Sequence, residues 1–291
     1  MANRIKLITC VSANVALALC GLSAFDWPVK NFNANKILPT FAQNRKQHFN
    51  TSLVFPEAQE VIATDKGKIK LVILEHQDEC NWFESTLGNC VIIEHEGNLI
   101  SVYGNLEKRD AEDALQKERI FSGENLGSAK NSAWNESEGS LEFQIADTKG
   151  KAFLNPLVFM PKISSESPLL IDEITIENKF GRSYELASLK SVQAGTYKVF
   201  KRRRENSPLH SSSVYVNGTE HERINRDVLS QENNLLTISG QRTYNSVNFF
   251  PDERREFLGQ IMLLHGNNSI AIIIRNVTEK ERTVLFTVQA Y

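Results

Sequence analysis

Apolar residues recur at every second position through much of this chain. In "SLEFQIAD", Ser140 to Asp147, Leu141, Phe143 and Ile145 fall on one side and Ser140, Glu142 and Gln144 on the other. That is the period of a half-buried strand. The stretch turns at Lys149-Gly150 and continues into "AFLNPLVFMP". Upstream, "QEVIATDKGKIKLVIL" reads as two strands broken at Asp65-Lys66-Gly67, and "NCVIIEHEGNLISVYGNL" as a hairpin turning at Glu96-Gly97-Asn98. The clear helical pattern is "RDAEDALQKERIF", with Ala111, Ala114 and Leu115 at helical spacing. "SGENLGSAK" reads as loop and turn.

The pattern changes after "KISSESP", a polar stretch ending in Pro168. Seven strand candidates follow: "LLIDEITIEN", "SVQAGTYKVFK", "SSVYVNGTE", "NLLTISG", "FLGQIMLL", "SIAIIIRNV" and "RTVLFTVQAY". Turn signals at Asn217-Gly218, Ser239-Gly240 and Gly266-Asn267 separate several of them. Many short strands with hardly any helix predict a β-sandwich, and Gly195-Thr196-Tyr197-Lys198-Val199 resembles a stretch common in immunoglobulin-like domains. The absence of a Cys-Trp-Cys framework excludes the antibody type. The expected architecture is mainly β: a hairpin-rich domain over 25–162, a linker at 163–168, and an immunoglobulin-like β-sandwich over 169–291. "NFFPDERREF" is expected to be a soluble connection rather than a contact site.

The N-terminus adds a compartment. Arg4 and Lys6 precede "LITCVSANVALALCGLSA", which has the form of a secretory signal peptide spanning 1–24 with cleavage after Ala24. Leu17-Ala18-Leu19-Cys20 is an imperfect lipobox, so a lipid anchor at Cys20 is the alternative. The expected location is the periplasm or cell envelope. Cleavage would leave Cys80 and Cys90 around "NWFESTLGN". A disulfide across a hairpin and two buried free thiols both fit, whereas a metal site does not, for want of a second Cys/His pair. A net charge of -2 argues against nucleic acid as the main partner, because phosphate binding needs a cationic surplus. The basic run Lys201-Arg202-Arg203-Arg204 reads as a solvated turn.

Four segments of the first domain, in order, carry a family resemblance. They are "HFNTSLVFPEAQEVIATDKGKI", "CVIIEHEGNLISVYGNL", "SGENLGSAK" and "GSLEFQIADTKGKAFLNPLVFMP". Together they resemble the lysostaphin-type (LytM-type) zinc endopeptidases of bacterial cell walls. In that family the same segments carry His-x-x-x-Asp, Tyr-x-His-Leu, a Gly-x-x-Ile-Gly loop and Gly-x-His-Leu-His-Phe-Glu before a closing Asn-Pro. Two histidines and an aspartate hold a tetrahedral zinc with an open position for water. The metal activates that water and polarises the peptide carbonyl.

Carried onto this sequence, the resemblance places His48 at the first ligand position and Ser52 at the aspartate. Asn105 falls on the histidine of Tyr-x-His-Leu, Ser140 and Glu142 on the His-x-His pair, and Gln144 on the closing glutamate. His95 falls on a hairpin histidine that is not a ligand, and His76 reads as a strand-end residue. With most ligands replaced, the resemblance implies no catalytic residue, no metal ligand set and no cofactor. It implies a polar groove lined by His48, Ser52, Asn105, Ser140 and Glu142. Such a groove would bind peptidoglycan or regulate a cell-wall hydrolase. The alternative is an active zinc metalloendopeptidase that cleaves peptidoglycan cross-links, with zinc held by a rearranged set drawn from His48, His76, His95 and Glu142.

Overall fold

The alternation in Leu141–Asp147 becomes the middle of a large antiparallel sheet. The computed structural model describes residues 25–31, 33, 37, 40–74, 86–132, 139–162, 169–204 and 207–291. The signal peptide with Cys10 and Cys20, His76, Cys80 and the linker 163–168 lie outside the described residues. The first domain contains β1 (Asn44–Arg45), β2 (His48–Phe49), β3 (Leu53–Phe55), β4 (Val61–Ile62), β5 (Gly67–Ile73), β6 (Cys90–Glu94), β7 (Leu99–Gly104), α1 (Lys108–Ala114), β8 (Arg119–Ile120), β9 (Asn125–Gly127), β10 (Leu141–Asp147) and β11 (Ala152–Leu154).

Along one edge β10 pairs with β7, from Glu142↔Gly104 to Asp147↔Leu99. Its other edge is shared, first by β3 through Leu141↔Phe55 and Phe143↔Leu53, then by β11 through Ile145↔Leu154. Leu141, Phe143 and Ile145 are fully buried beneath the sheet with Leu53, Phe55, Ile93 and Tyr103. The β6–β7 hairpin turns where the sequence predicts, with Gly97 at φ 79°, a left-handed position that glycine fills without steric cost.

Two elements differ from expectation. The helix stops at Ala114, and Arg119–Ile120 forms strand β8 against β5. Only Ala111 and Ala114 face the core, Leu115 is exposed, and Ile120 is buried by the sheet instead. The stretch "SGENLGSAK" holds β9, which pairs with β4 through Val61↔Gly127.

The second half contains β12 (Thr175–Asn178), β13 (Ser183–Glu185), β14 (Ser191–Val192), β15 (Gly195–Arg202), β16 (Ser211–Val216), β17 (Thr219–Asn225), β18 (Val228–Glu232), β19 (Leu235–Ser239), β20 (Thr243–Asn245), α2 (Ser246–Phe249), β21 (Arg255–Leu263), β22 (Gly266–Arg275) and β23 (Glu281–Ala290). One sheet has the order β13-β12-β15-β21 and another β14-β23-β22-β16-β17. Ile176, Tyr197, Val199 and Leu258 from the first meet Val214, Ile270, Ile272 and Val288 from the second in a separate core. Tyr197 donates its hydroxyl to Gln193 O at 2.6 Å, fastening its strand to the preceding chain.

The "NLLTISG" strand, β19, does not join these two sheets. Strands β18, β19 and β20 extend the first domain's sheet through β11, with Ala152↔Ser230 and Leu154↔Val228. Among the described residues ten strands from both halves make one sheet. "NFFPDERREF" is not a soluble connection either. Phe249 and Phe250 are buried in the first core, with ring centroids 5.5 and 5.7 Å from Phe49. Burying each ring contributes about 1.5–3 kcal/mol, which a solvated loop would forgo.

The basic run is also no solvated turn. Lys201 is 1% exposed and its Nζ lies 3.1 Å from Glu256 Oε2, while Arg226 Nη2 reaches Glu256 Oε1 at 2.5 Å. Arg202 and Arg204 pair with Glu173 and Asp172. Alternation lets one strand serve two cores, and the register shift between Val199 and Phe200 leaves Leu258 of β21 as the extra residue. Phe200 faces the first core and Val199 the second.

Candidate functional site: a guanidinium in a degenerate metal centre

Strands β1 and β2 form a hairpin with Lys46 and Gln47 between them, at φ 50° and 67°. Two left-handed residues in succession are what the tightest hairpin loops require. Asn44 Oδ1 accepts the Gln47 N–H at 2.8 Å and closes the loop. Phe49 plugs into the Phe249–Phe250 cluster, so the second half of the chain anchors this hairpin. Arg45 and His48 are cross-strand partners. His48 is exposed to solvent, and Arg45 reaches inward.

Its target is Glu142. Arg45 Nη2 donates to Oε1 at 2.8 Å and Nη1 to Oε2 at 3.0 Å. Glu142 is 1% exposed, and a planar fork on both carboxylate oxygens is the geometry that best compensates such burial. Ser52 Oγ lies 3.4 Å from Glu142 Oε2, yet its single proton goes to the nearer Asn50 Oδ1 at 2.8 Å. Gln144 Nε2 donates to Thr51 Oγ1 at 3.0 Å. The alternation of β10 directs Glu142 and Gln144 to the segment Arg45–Ser52.

Asn105 has another task. Its Nδ2 donates to Ser140 O at 2.7 Å, and its Oδ1 accepts the Ser132 N–H at 2.8 Å. At φ 67° and 1% exposure it ties the end of β7 to the start of β10 and to the loop after β9. Ser140 is fully buried at that junction. Of the five groove positions, Ser52 and Glu142 converge, Asn105 and Ser140 meet one another beside them, and His48 stands outside on the hairpin.

His95 is engaged elsewhere. Its Nδ1 lies 2.9 Å from Lys66 O and its Nε2 2.7 Å from Ser101 Oγ, with the Phe25 ring 4.9 Å away. Burial holds its pKa below the ordinary value, so it serves as a neutral core imidazole. Cys90 is a free, buried thiol whose pKa burial pushes up to about 11. Such a thiol is an unreactive packing group.

These residues do not fit the zinc that the resemblance implies. The one buried carboxylate at the centre is already neutralised by a guanidinium. The neighbouring hydroxyl and amides are weak, un-ionised donors to a metal. Among the described residues no group of three or more His, Cys, Asp or Glu is placed to hold a metal ion. A cation beside Glu142 would also have to displace, or stand against, the charge of Arg45.

Arg45 escaped the sequence reading. The signal was the buried acid itself: a carboxylate on the covered side of a strand requires a cation, but nothing local says which one.

Residues 46–156 match the model of peptidase family M23, and a separate family model matches residues 168–291. The first segment is a LytM-type, peptidase-like domain followed by a distinct C-terminal domain family, in a mainly β chain. The match begins one residue after Arg45, outside the part of the chain that the family pattern describes. No curated protein matches the chain.

Proposed function

We propose that this chain is an exported cell-envelope protein whose M23 domain recognises peptidoglycan, or a hydrolase acting on it, without cleaving peptide bonds. The carrying observation is the bidentate Arg45–Glu142 pair. A peptidase of this kind needs a metal to acidify water and polarise a carbonyl. Here the fixed positive charge belongs to a side chain that can neither bind water as a ligand nor lower its pKa to neutrality. What is retained is the sheet and, near the start of β10, a buried polar cluster that meets solvent through the part-exposed Arg45 beside the exposed His48. The second domain is read as an immunoglobulin-like module, and Phe249 and Phe250 beyond it in the first core hold Phe49 of the β1–β2 hairpin.

The test combines metal analysis with sedimentation on purified sacculi. The purified chain is expected to carry no stoichiometric zinc, to sediment with sacculi, and to release no muropeptides. Substituting Arg45→Ala should reduce sedimentation more than Glu60→Gln, a change at a distant surface pair. Stoichiometric zinc lost in His48→Ala, with peptide release, would establish the zinc peptidase instead. Protein that stays in the supernatant and binds no hydrolase would remove the recognition role.

A further inference from the structure

A cleft between the two halves of the molecule, well apart in sequence from the Arg45 hairpin, has a chemistry of its own. Its volume is about 410 Å³. One wall is apolar, made by Leu157, Val158 and Met160 where the first domain ends. Val158 is 50% exposed there, an aliphatic side chain with water on one face. The opposite wall carries His210, Asp227 and Glu279 from the second domain.

The polar wall is rich in acceptors. His210 Nδ1 and Asp227 Oδ1 are both buried and make no hydrogen bond within the protein. His210 Nε2 approaches Asp227 Oδ1 only to 3.4 Å. Burial, with Arg226 nearby, lowers the imidazole pKa against the opposing pull of Asp227 and Glu279. A neutral ring keeps its proton on the nitrogen facing the carboxylate, leaving Nδ1 as a lone pair. Thr278 Oγ1 donates to Asn276 Oδ1 at 2.9 Å, so it too offers lone pairs to the cleft. Lys162 at the rim supplies an ammonium group, 3.9 Å from Glu279 Oε1 and 92% exposed. The cleft is thus lined by Asp227, Glu279, His210 and Thr278, with the unpartnered acceptors of His210 and Asp227 buried in its wall and one loosely held cation, Lys162, at the rim. An ammonium group has three donors and no acceptor, and an aliphatic stem packs on an apolar wall.

We propose that this cleft binds an alkylammonium group: a primary amine on an aliphatic stem, as a basic side chain or a free diamine presents it. The site is separate from the Arg45–Glu142 centre, and neither reading depends on the other.

Amide NMR titration of the full chain with n-butylammonium tests it, with butyrate as the anionic control of equal stem length. Saturable shifts at the cleft residues are expected for the amine and none for butyrate. Glu279→Gln and Asp227→Asn should each weaken binding about tenfold. Lys162→Ala should tighten it by about threefold, because it removes a competing, exposed cation. Glu279 and Lys162 are exposed, so their variants report binding even if Asp227→Asn unfolds. Parallel titrations with Nα-acetyl-lysine amide, whose ε-ammonium is free, and with pentane-1,5-diamine distinguish a peptide side chain from a free diamine. An unsaturable response, equal shifts from butyrate, or unchanged affinity in Glu279→Gln with no gain in Lys162→Ala would each overturn the proposal.

Discussion

Among the described residues the carboxylates of Glu142, Glu222 and Glu256 are buried, and the difference between Glu142 and Glu256 separates a site from a staple. Glu256 lies between Lys201 and Arg226, all three about as inaccessible as any side chains in the chain. Glu142 is equally buried, but its partner Arg45 is 38% exposed. The first cluster joins β15, β21 and the loop after β17, next to where Asn155 Nδ2 donates to Arg226 O and Asn155 N to Asp227 O. Its three charged groups all belong to the second half and face one another, and only the backbone carbonyls of Arg226 and Asp227 reach across to Asn155. The second cluster faces water through its cation, so a ligand can reach it. Burial of the acid alone does not identify function. Access to its counter-charge does.

The largest effect should come from breaking the fully buried cluster. Glu256→Gln leaves two cations without compensation and is expected to cost about 3–5 kcal/mol in denaturant unfolding. Because the ten-stranded sheet spans both halves, the loss should appear in a single transition. Two transitions, with only the later one shifted, would show that the halves unfold independently.

At the other cluster, Arg45→Met should cost less, about 2–3 kcal/mol, because water can reach the abandoned carboxylate from the side Arg45 leaves. The double variant Arg45→Met/Glu142→Met is expected to regain most of that loss, as replacement of a whole pair commonly does. If the double variant is no more stable than the single one, the pair is not the compensation described here.

Asn105→Ala removes both side-chain bonds at the β7–β10 junction and places alanine at a left-handed φ, for an expected loss of about 2 kcal/mol. Asn105→Gly keeps the backbone and should lose less. Equal losses would assign the residue's role to its bonds alone.

The smallest effect is a pH dependence. His95 and His210 both have folded-state pKa values lowered, chiefly by burial. As pH falls below about 6.5 the unfolded chain takes up protons first, so their contribution is present above that value and is lost toward the lower folded values. His95→Gln should flatten the fall of Tm between pH 6.5 and 5 by roughly the share of one histidine. An unchanged slope would place the linkage elsewhere.

Much of the fold is legible locally. Alternation marks β10, β6, β7 and the strands β21 to β23, because a side-chain period of two is a property of consecutive residues. The Glu96-Gly97-Asn98 turn is legible for the same reason. The helix was overextended because two alanines carry little information about where a helix ends, and the sheet claimed Ile120. The basic run and "NFFPDERREF" were misread together. Each looks like a surface segment on its own, and the buried parts of each, Lys201 and the residues Phe249, Phe250, Glu256 and Phe257, are covered by one another, by Phe49, by Tyr244 and by Arg226.

The amino-acid sequence by itself determined most of the strands, the order of the family's segments and which residue types stand along β10. Those depend on residue type and near-neighbour spacing. Only the tertiary structure decided that Arg45 neutralises Glu142 across 97 positions, that β18 to β20 complete the other domain's sheet, and that His210 and Asp227 share a cleft with Val158. A carboxylate's need for a cation and a strand's need for a neighbour are written in the chain. Which cation and which neighbour depends on distances that folding alone creates.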